Sequence, residues 1–265
     1  MREAAIARTR QAELERLATA QPADLGAYRD VSWRARLARG WLVIVAALTL
    51  LGATLEIGHL KLVAGKTTAD LDLAFAQRVD DSNATLGIVY IITFCAYLFS
   101  AAFFAAWTFR AYKNITALGA QGPRFGPGWA IGGWFTPILN LWRPKQIVDD
   151  IWRASDPSAP SVLPPDQWRV RPTPLLLTWW WLFYIAGGVA DRLSARQPID
   201  TIEHDRVATT YGLGASILTL VAAGLAFLVV TRVTNRQRDR ADRLRTLPAK
   251  PVSDSPQTAA TAPAT

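Results

Sequence analysis

Four stretches of this chain, residues 41–60, 86–109, 174–190 and 211–231, are strongly apolar and contain neither lysine nor arginine. A helix rises about 1.5 Å per residue, so about 20 apolar residues cover the roughly 30 Å of a bilayer's hydrocarbon core. A helix in a soluble domain rarely stays uncharged for so long, because one of its faces must meet water. The runs therefore predict an all-α, polytopic membrane protein with four transmembrane helices, forming a membrane domain over residues 40–235.

The basic residues orient the spans. All 29 Lys and Arg lie outside the four runs: eight in 1–40, three in 61–85, eight in 110–173, three in 191–210 and seven beyond 231. Lys and Arg are retained on the cytoplasmic side of a membrane, so both termini and the 110–173 segment are expected inside. Residues 1–39, with eight arginines and no apolar core, read as a basic cytoplasmic arm rather than a secretory leader. Within it, 3–19 has the pattern of an amphipathic helix. Residues 236–247 extend the last helix into the cytoplasm, and Thr234, just before them, is expected to be exposed there. Residues 248–265 have the composition of a disordered tail. The preference for Arg over Lys and the abundance of Ala fit a GC-rich bacterial genome, and the expected location is the bacterial inner membrane.

A fifth apolar stretch, 128–142, is too short to be a span. Its 15 residues reach only about 22 Å as a helix, and Pro137 interrupts that helix. Counting it as a crossing would also place the arginine-rich tail outside. It is expected to be re-entrant from the cytoplasmic side or to lie in the interface, with Gly132 and Gly133 letting a spanning helix approach and Trp129, Trp134 and Trp142 at headgroup depth. Residues 145–155 follow as a short helix along the membrane surface. Ile147, Val148, Ile151 and Trp152 share its apolar face, and Asp149, Asp150 and Arg153 its solvated one. The proline-rich stretch from Asp156 to Pro174 reads as irregular loop.

Within 104–155 a pattern recurs that is specific: Trp107, Arg110 and Asn114 at a helix end, then Pro127 and Trp129, Trp134, Pro137, Asn140, Trp142-Arg143-Pro144 and Trp152. It resembles the core of a bacterial membrane family known as domain of unknown function 4328. The resemblance implies a membrane domain over about 40–235 and no known reaction, ligand or cofactor.

Candidate contact residues for a partner or a lipid are Trp107, Arg110, Asn114, Trp129, Trp134, Pro137, Asn140, Trp142, Arg143 and Trp152. Trp107, Arg110 and Asn114 fall on one helical face. Asn140 needs partners below the interface and is a candidate cap for the break at Pro137. Glu56 is the single carboxylate inside an expected span, and intramembrane carboxylates mark functional sites; a tilted helix would bring it to water or beside His59. One cysteine and two histidines supply no disulfide framework or metal cluster. No catalytic, phosphate-loop or metalloprotease motif is found. No catalytic residue, cofactor or metal is therefore expected. Basic residues beside a membrane point to anionic lipid headgroups rather than nucleic acid. The pattern fits a non-enzymatic protein that organises or regulates a membrane or cytoplasmic protein partner through its cytoplasmic face, with homo-oligomers compatible with it. The alternative is a small oligomeric transporter or channel that uses the re-entrant segment.

Topology reporters fused after residues 70, 160 and 200 and at the C-terminus are expected to read outside, inside, outside, inside. An outside reading at the C-terminus would show that 128–142 crosses.

Overall fold

At 1.5 Å per residue a helix of 45 residues is about 68 Å long, more than twice the thickness of the hydrocarbon core. This chain builds two such helices, so each must leave the apolar layer and find other partners along much of its length. The computed structural model describes residues 23–70 and 72–247. The helix expected over 3–19 and the tail expected over 248–265 lie outside the described residues.

Among the described residues there are seven α-helices: α1 Ser32–Leu62, α2 Leu73–Ala117, α3 Trp129–Phe135, α4 Arg143–Ala154, α5 Pro165–Trp168, α6 Leu175–Ser194 and α7 Ile202–Thr246. Single 3-10 turns occur at Thr68–Asp70 and Leu139–Leu141. The fold is all-α. Three helices, α1, α2 and α7, are long and apolar enough to cross a membrane, which marks a multi-pass membrane protein. The fourth expected span falls in α6, which has 20 residues and ends in the polar Asp191-Arg192 turn. α2 and α7 begin well inside the stretches expected as outer loops. Asp72 accepts the Phe75 N–H at 2.7 Å, and Thr201 accepts the His204 N–H at 3.1 Å. These N-caps start the helices early and place Asp80, Asp81 and Asp205 on them.

α1 packs against both α2 and α7, and α7 packs along α6. Gly187 makes the last contact possible: a Cβ there would sit 3.3 Å from Thr219 Oγ1, the small-residue approach common between membrane helices. α2 and α6 are bridged by aromatic rings, Phe104 to Trp180 at 5.6 Å. Trp180 and Trp181 are buried while Trp179 faces outward. Side chains such as Ile44, Leu51, Ile91, Phe94, Leu182 and Ile217 point away from the bundle and are exposed. Lipid satisfies such a surface and water does not.

Where α2 and α7 leave the apolar layer they stay together and carry a cap. α2 ends in a Schellman motif: Gly119, at φ +92, donates to Thr116 O at 2.9 Å and Ala120 donates to Ile115 O at 3.0 Å. Glycine is required there twice over, since a Cβ would lie 2.0 Å from Ser161 O. The loop carrying Ser161 docks on this turn, with Gln121 N–H to Leu163 O and Leu163 N–H to Gly119 O, both 2.9 Å. The stretch expected as irregular is thus held in place, and its Trp168 is buried with the indole donating to Gln121 O at 3.0 Å.

α7 supplies the spine. Val233, Thr234, Gln237, Arg240, Ala241 and Leu244 are all buried, at the three- and four-residue spacing of one helical face. Thr234, expected to be exposed, accepts the Trp107 indole N–H at 3.1 Å. Gln237 donates to Ala111 O at 2.8 Å and accepts from the Asn114 amide at 3.3 Å. Arg240 is fully buried, and its guanidinium donates only to backbone carbonyls: Leu118 at 2.7 and 3.0 Å, Asp156 at 2.6 Å, Pro160 at 3.0 Å and Ala159 at 3.3 Å. Burial, with Arg171 nearby, pulls its pKa down to about 10, so it remains charged at neutral pH. One side chain therefore ties the end of α2, the 156–160 loop and α7 together.

Arg240→Met leaves the Leu118, Ala159 and Pro160 carbonyls without this donor in a buried site, while Asp156 O keeps the Ala159 N–H at 3.2 Å, and is expected to cost about 3 kcal/mol or more, read as a large drop in melting temperature in detergent. Arg240→Lys should recover little of the loss, because a single ammonium cannot span the fork. A melting temperature unchanged in both variants would contradict this role.

Candidate functional site

The glycine- and proline-rich stretch after α2 folds back on itself. It leaves the cap at Phe125, whose N–H is accepted by the Tyr112 hydroxyl at 3.0 Å. α3 runs only from Trp129 to Phe135. Thr136 closes its last turn, donating from both backbone and Oγ1 to Gly132 O at 3.1 and 2.9 Å. Pro137, Ile138 and Leu139 then form a γ-turn, with Leu139 N–H to Pro137 O at 2.7 Å and Ile138 at φ +68, ψ −54. This conformation is strained for any residue and more so for a β-branched one. After the 3-10 turn the chain re-enters the cap at Arg143, whose guanidinium lies 4.1 Å from the Phe125 ring centroid and 5.2 Å from that of Trp129. The two ends of the stretch thus meet.

Its tip is anchored from within. Trp134 packs against Phe104, Trp181 and Tyr184 at centroid distances of 5.9, 6.0 and 5.7 Å, and Trp181 donates its indole N–H to Leu141 O at 2.9 Å. The opposite edge is open: Phe135 is 80% and Ile138 69% exposed, and Leu141, Trp129 and Trp142 also lie on the surface. Trp134 is therefore a wedge between α2 and α6, not a member of a rim with Trp129 and Trp142. Nor does a spanning helix approach the glycines. A Cβ at Gly133 would meet Arg143 Cγ at 2.8 Å, from the stretch's own return, while one at Gly132 would meet nothing nearer than 4.0 Å. Asn140 turns back through its backbone N–H, bonded to Thr136 O at 3.0 Å, and Pro137 stays exposed.

The helix-end candidates point inward. Trp107 and Asn114 are fully buried and so cannot touch lipid phosphate. Asn114 instead clamps the lead-in to α1: its amide donates to Arg29 O at 2.8 Å, and its oxygen accepts the Arg29 N–H at 3.3 Å. Arg110 is partly exposed and donates to Ala27 O at 3.0 Å. Trp152 is stacked under Arg236, 4.4 Å from its ring centroid.

α4, expected along a membrane surface, is enclosed. Ile147, Val148, Asp150, Ile151 and Ala154 are fully buried, because α4 packs against α2, α3, α6 and α7 at once. Its expected solvated face is also covered. Asp149 is buried and held by Lys145 at 2.7 Å. Asp150 lies 3.4 Å from Arg124 and 3.8 Å from Arg153, and neither of its oxygens has a hydrogen-bond partner. Burial is the dominant effect and pushes its pKa up to about 6, against the opposing pull of Arg124 and Arg153. No group of three His, Cys, Asp or Glu able to hold a metal occurs among the described residues.

Most of these elements fall within the stretch matched by one protein-family model. The family model described as "Domain of unknown function (DUF4328)" matches residues 70–235. The chain belongs to the DUF4328 family. The match covers α2 to most of α7 and omits α1, although the sequence resemblance had suggested a unit starting near residue 40. No curated protein and no solved structure matches the chain.

At the other end of the bundle this family member holds a polar group that sequence reasoning found only in part. Glu56 is buried, accepting from the Tyr90 hydroxyl at 2.7 Å and from Ser216 at 3.1 Å. It reaches neither water nor His59. His59 is separately buried between Ser82 at 2.9 Å and Asp205 at 2.7 Å. The inward face was readable in the spacing of Thr49, Gly52, Glu56 and His59 along α1, whereas Asp205 lies 146 residues away and carries no local signal.

Asp150 gives a pH dependence with a definite sign. Its folded-state pKa, about 6, lies above the ordinary aspartate value of 3.8, so the folded protein holds the proton more tightly than the unfolded chain. Stability should fall as pH rises from about 4 to about 6, by roughly 3 kcal/mol in all, and level off above. Asp150→Asn is expected to flatten the melting-temperature profile across that window and raise it at pH 7. An unchanged slope would show that Asp150 ionises freely.

Proposed function

We propose that this DUF4328 protein is a non-enzymatic protein of the bacterial inner membrane that organises or regulates a protein partner through its cytoplasmic face. In this reading it crosses the bilayer four times, with α6 as the fourth crossing and both termini inside. The alternation of basic segments supports that topology, as do the outward-facing Trp179 and Leu182 of α6. The stretch 128–142 is re-entrant, supported by the contact of its two ends at Phe125 and Arg143.

The observation that carries the reading is the exposed edge of Phe135, Ile138 and Leu141, held over a rigid aromatic anchor with Ile138 in a strained turn. An exposed apolar residue in a costly conformation, backed by buried tryptophans, has the character of a binding edge. A photo-crosslinking residue at Phe135, in native membranes, should give a discrete protein adduct that Ile138→Asp abolishes. Adducts with lipid alone would make the edge a bilayer anchor and remove the partner.

A second reading, a small oligomeric transporter or channel, is supported by the buried, hydrogen-bonded Glu56. Flux into proteoliposomes that is equal for the native protein and Glu56→Ala would dispose of it.

A further inference from the structure

A groove of about 1720 Å³ opens on the cap between the lead-in to α1, the end of α2 and the loop that holds α5. Four cationic side chains line it: Arg29, Arg110, Lys113 and Arg169. Two carboxylates, Asp24 and Asp166, share the lining, but Asp24 is turned onto the Gly26 N–H at 3.0 Å. Among the described residues none of the four cations forms an ion pair with a carboxylate. Other arginines of the cap are so paired: Arg124 and Arg153 with Asp150, Arg171 and Arg236 with Asp156.

The groove arginines are instead held by neutral carbonyls. Arg29 donates to Gly26 O at 2.8 Å, Arg110 to Ala27 O at 3.0 Å, and Arg169 to Gly122 O. Such bonds orient a guanidinium without neutralising it, leaving further N–H groups of the fork. Among the described residues the Nε–H groups of Arg110 and Arg169 are buried without an acceptor, so a ligand would meet the terminal N–H groups of these forks. Lys113 is exposed one turn along α2 from Arg110. Crowding is felt within the cluster: burial, then Arg34 and Arg29, make Arg110 easier to deprotonate than an ordinary arginine. Pre-oriented cations that outnumber the groove's carboxylates, Asp24 and Asp166, are what a tetrahedral, multiply charged oxyanion requires.

We propose that this groove is a binding site for the phosphate group of an anionic ligand, taken up between Arg29, Arg110, Lys113 and Arg169. Arg110 directly follows the apolar run 86–109, and Lys113 lies about 4.5 Å further along the helix. The site therefore sits at headgroup depth while opening to the aqueous side, within reach of either a lipid phosphate or a free one. It does not depend on the protein partner argued above, which uses the edge around Ile138.

The test uses the full-length protein in nanodiscs of phosphatidylcholine alone or doped with phosphatidylglycerol, and titration of inorganic phosphate into the former. Binding is read by thermal shift and by the mass of retained lipid. Lys113→Gln, which breaks no hydrogen bond or ion pair among the described residues and gives up only the 5.7 Å approach of Nζ to the Phe109 ring centroid, and Arg169→Gln are compared with Arg36→Gln, an exposed arginine on α1 outside the groove. The proposal predicts that at least one probe binds, and that the groove variants weaken it by about tenfold while Arg36→Gln does not. A response to phosphatidylglycerol alone identifies a lipid headgroup as the source; a response to inorganic phosphate identifies a free phosphate. Absence of binding by both probes, or equal weakening in Lys113→Gln and Arg36→Gln, would overturn the site.

Discussion

A guanidinium enclosed in protein must find an acceptor for nearly every N–H, because an unpaired buried charge is among the costliest features a fold can carry. Arg240 meets this demand with backbone carbonyls from two places distant in sequence, the end of α2 and the 156–160 loop. The Leu118 carbonyl in turn is available because α2 ends at Ala117 and the chain turns away at Gly119. Charge, helix end and loop are thus mutually required. Gln237 and Thr234 repeat the arrangement along α7, satisfying Asn114, Ala111 and Trp107. The result is a polar seam through which two long helices stay paired after leaving the apolar layer, where lipid no longer helps hold them.

The exposed edge and the basic groove both hang from that seam. α4 is seated on α2 and α7, so its Arg143 end fixes where the folded-back stretch returns. Trp181 and Trp134 fix how far its tip extends. The basic groove has the same support from another side, since Asn114 holds the Arg29 backbone next to Arg110 and Lys113. An open edge at Ile138 and an open groove at Lys113 are two surfaces of one rigid cap, and neither needs the buried polar group around Glu56 and His59 at the opposite end.

The apolar helices were legible because length and absence of charge are enough to recognise a helix that can cross a membrane, and the family pattern was legible in its tryptophans and prolines. Burial in the cap was not. The run from Arg232 to Arg245 reads as solvated, since its charges dominate any average; only the neutral positions Val233, Gln237, Ala241 and Leu244, at helical spacing, hint at a covered face. Asp149 and Asp150 misled for a related reason. One apolar face of α4 was visible, and Lys145 lies one turn before Asp149 on the same helix, but nothing local told that Arg124, from outside the helix, would close over Asp150. Thr234 and Trp107 were each read alone, one as exposed and one as a contact residue for a partner or a lipid, and their hydrogen bond links residues 127 positions apart.

The central claim is that the last helix beyond the apolar layer is a packed spine and not a solvated extension. Hydrogen exchange on the intact protein in lipid nanodiscs tests it directly, through peptides covering residues 233–244 of α7. The backbone amides there should exchange as slowly as those of the apolar part of the same helix, since both would open only when the cap is lost. Exchange within seconds across 233–244, with protection confined to the apolar part, would mean that the seam does not hold and that Arg240 is not its keystone.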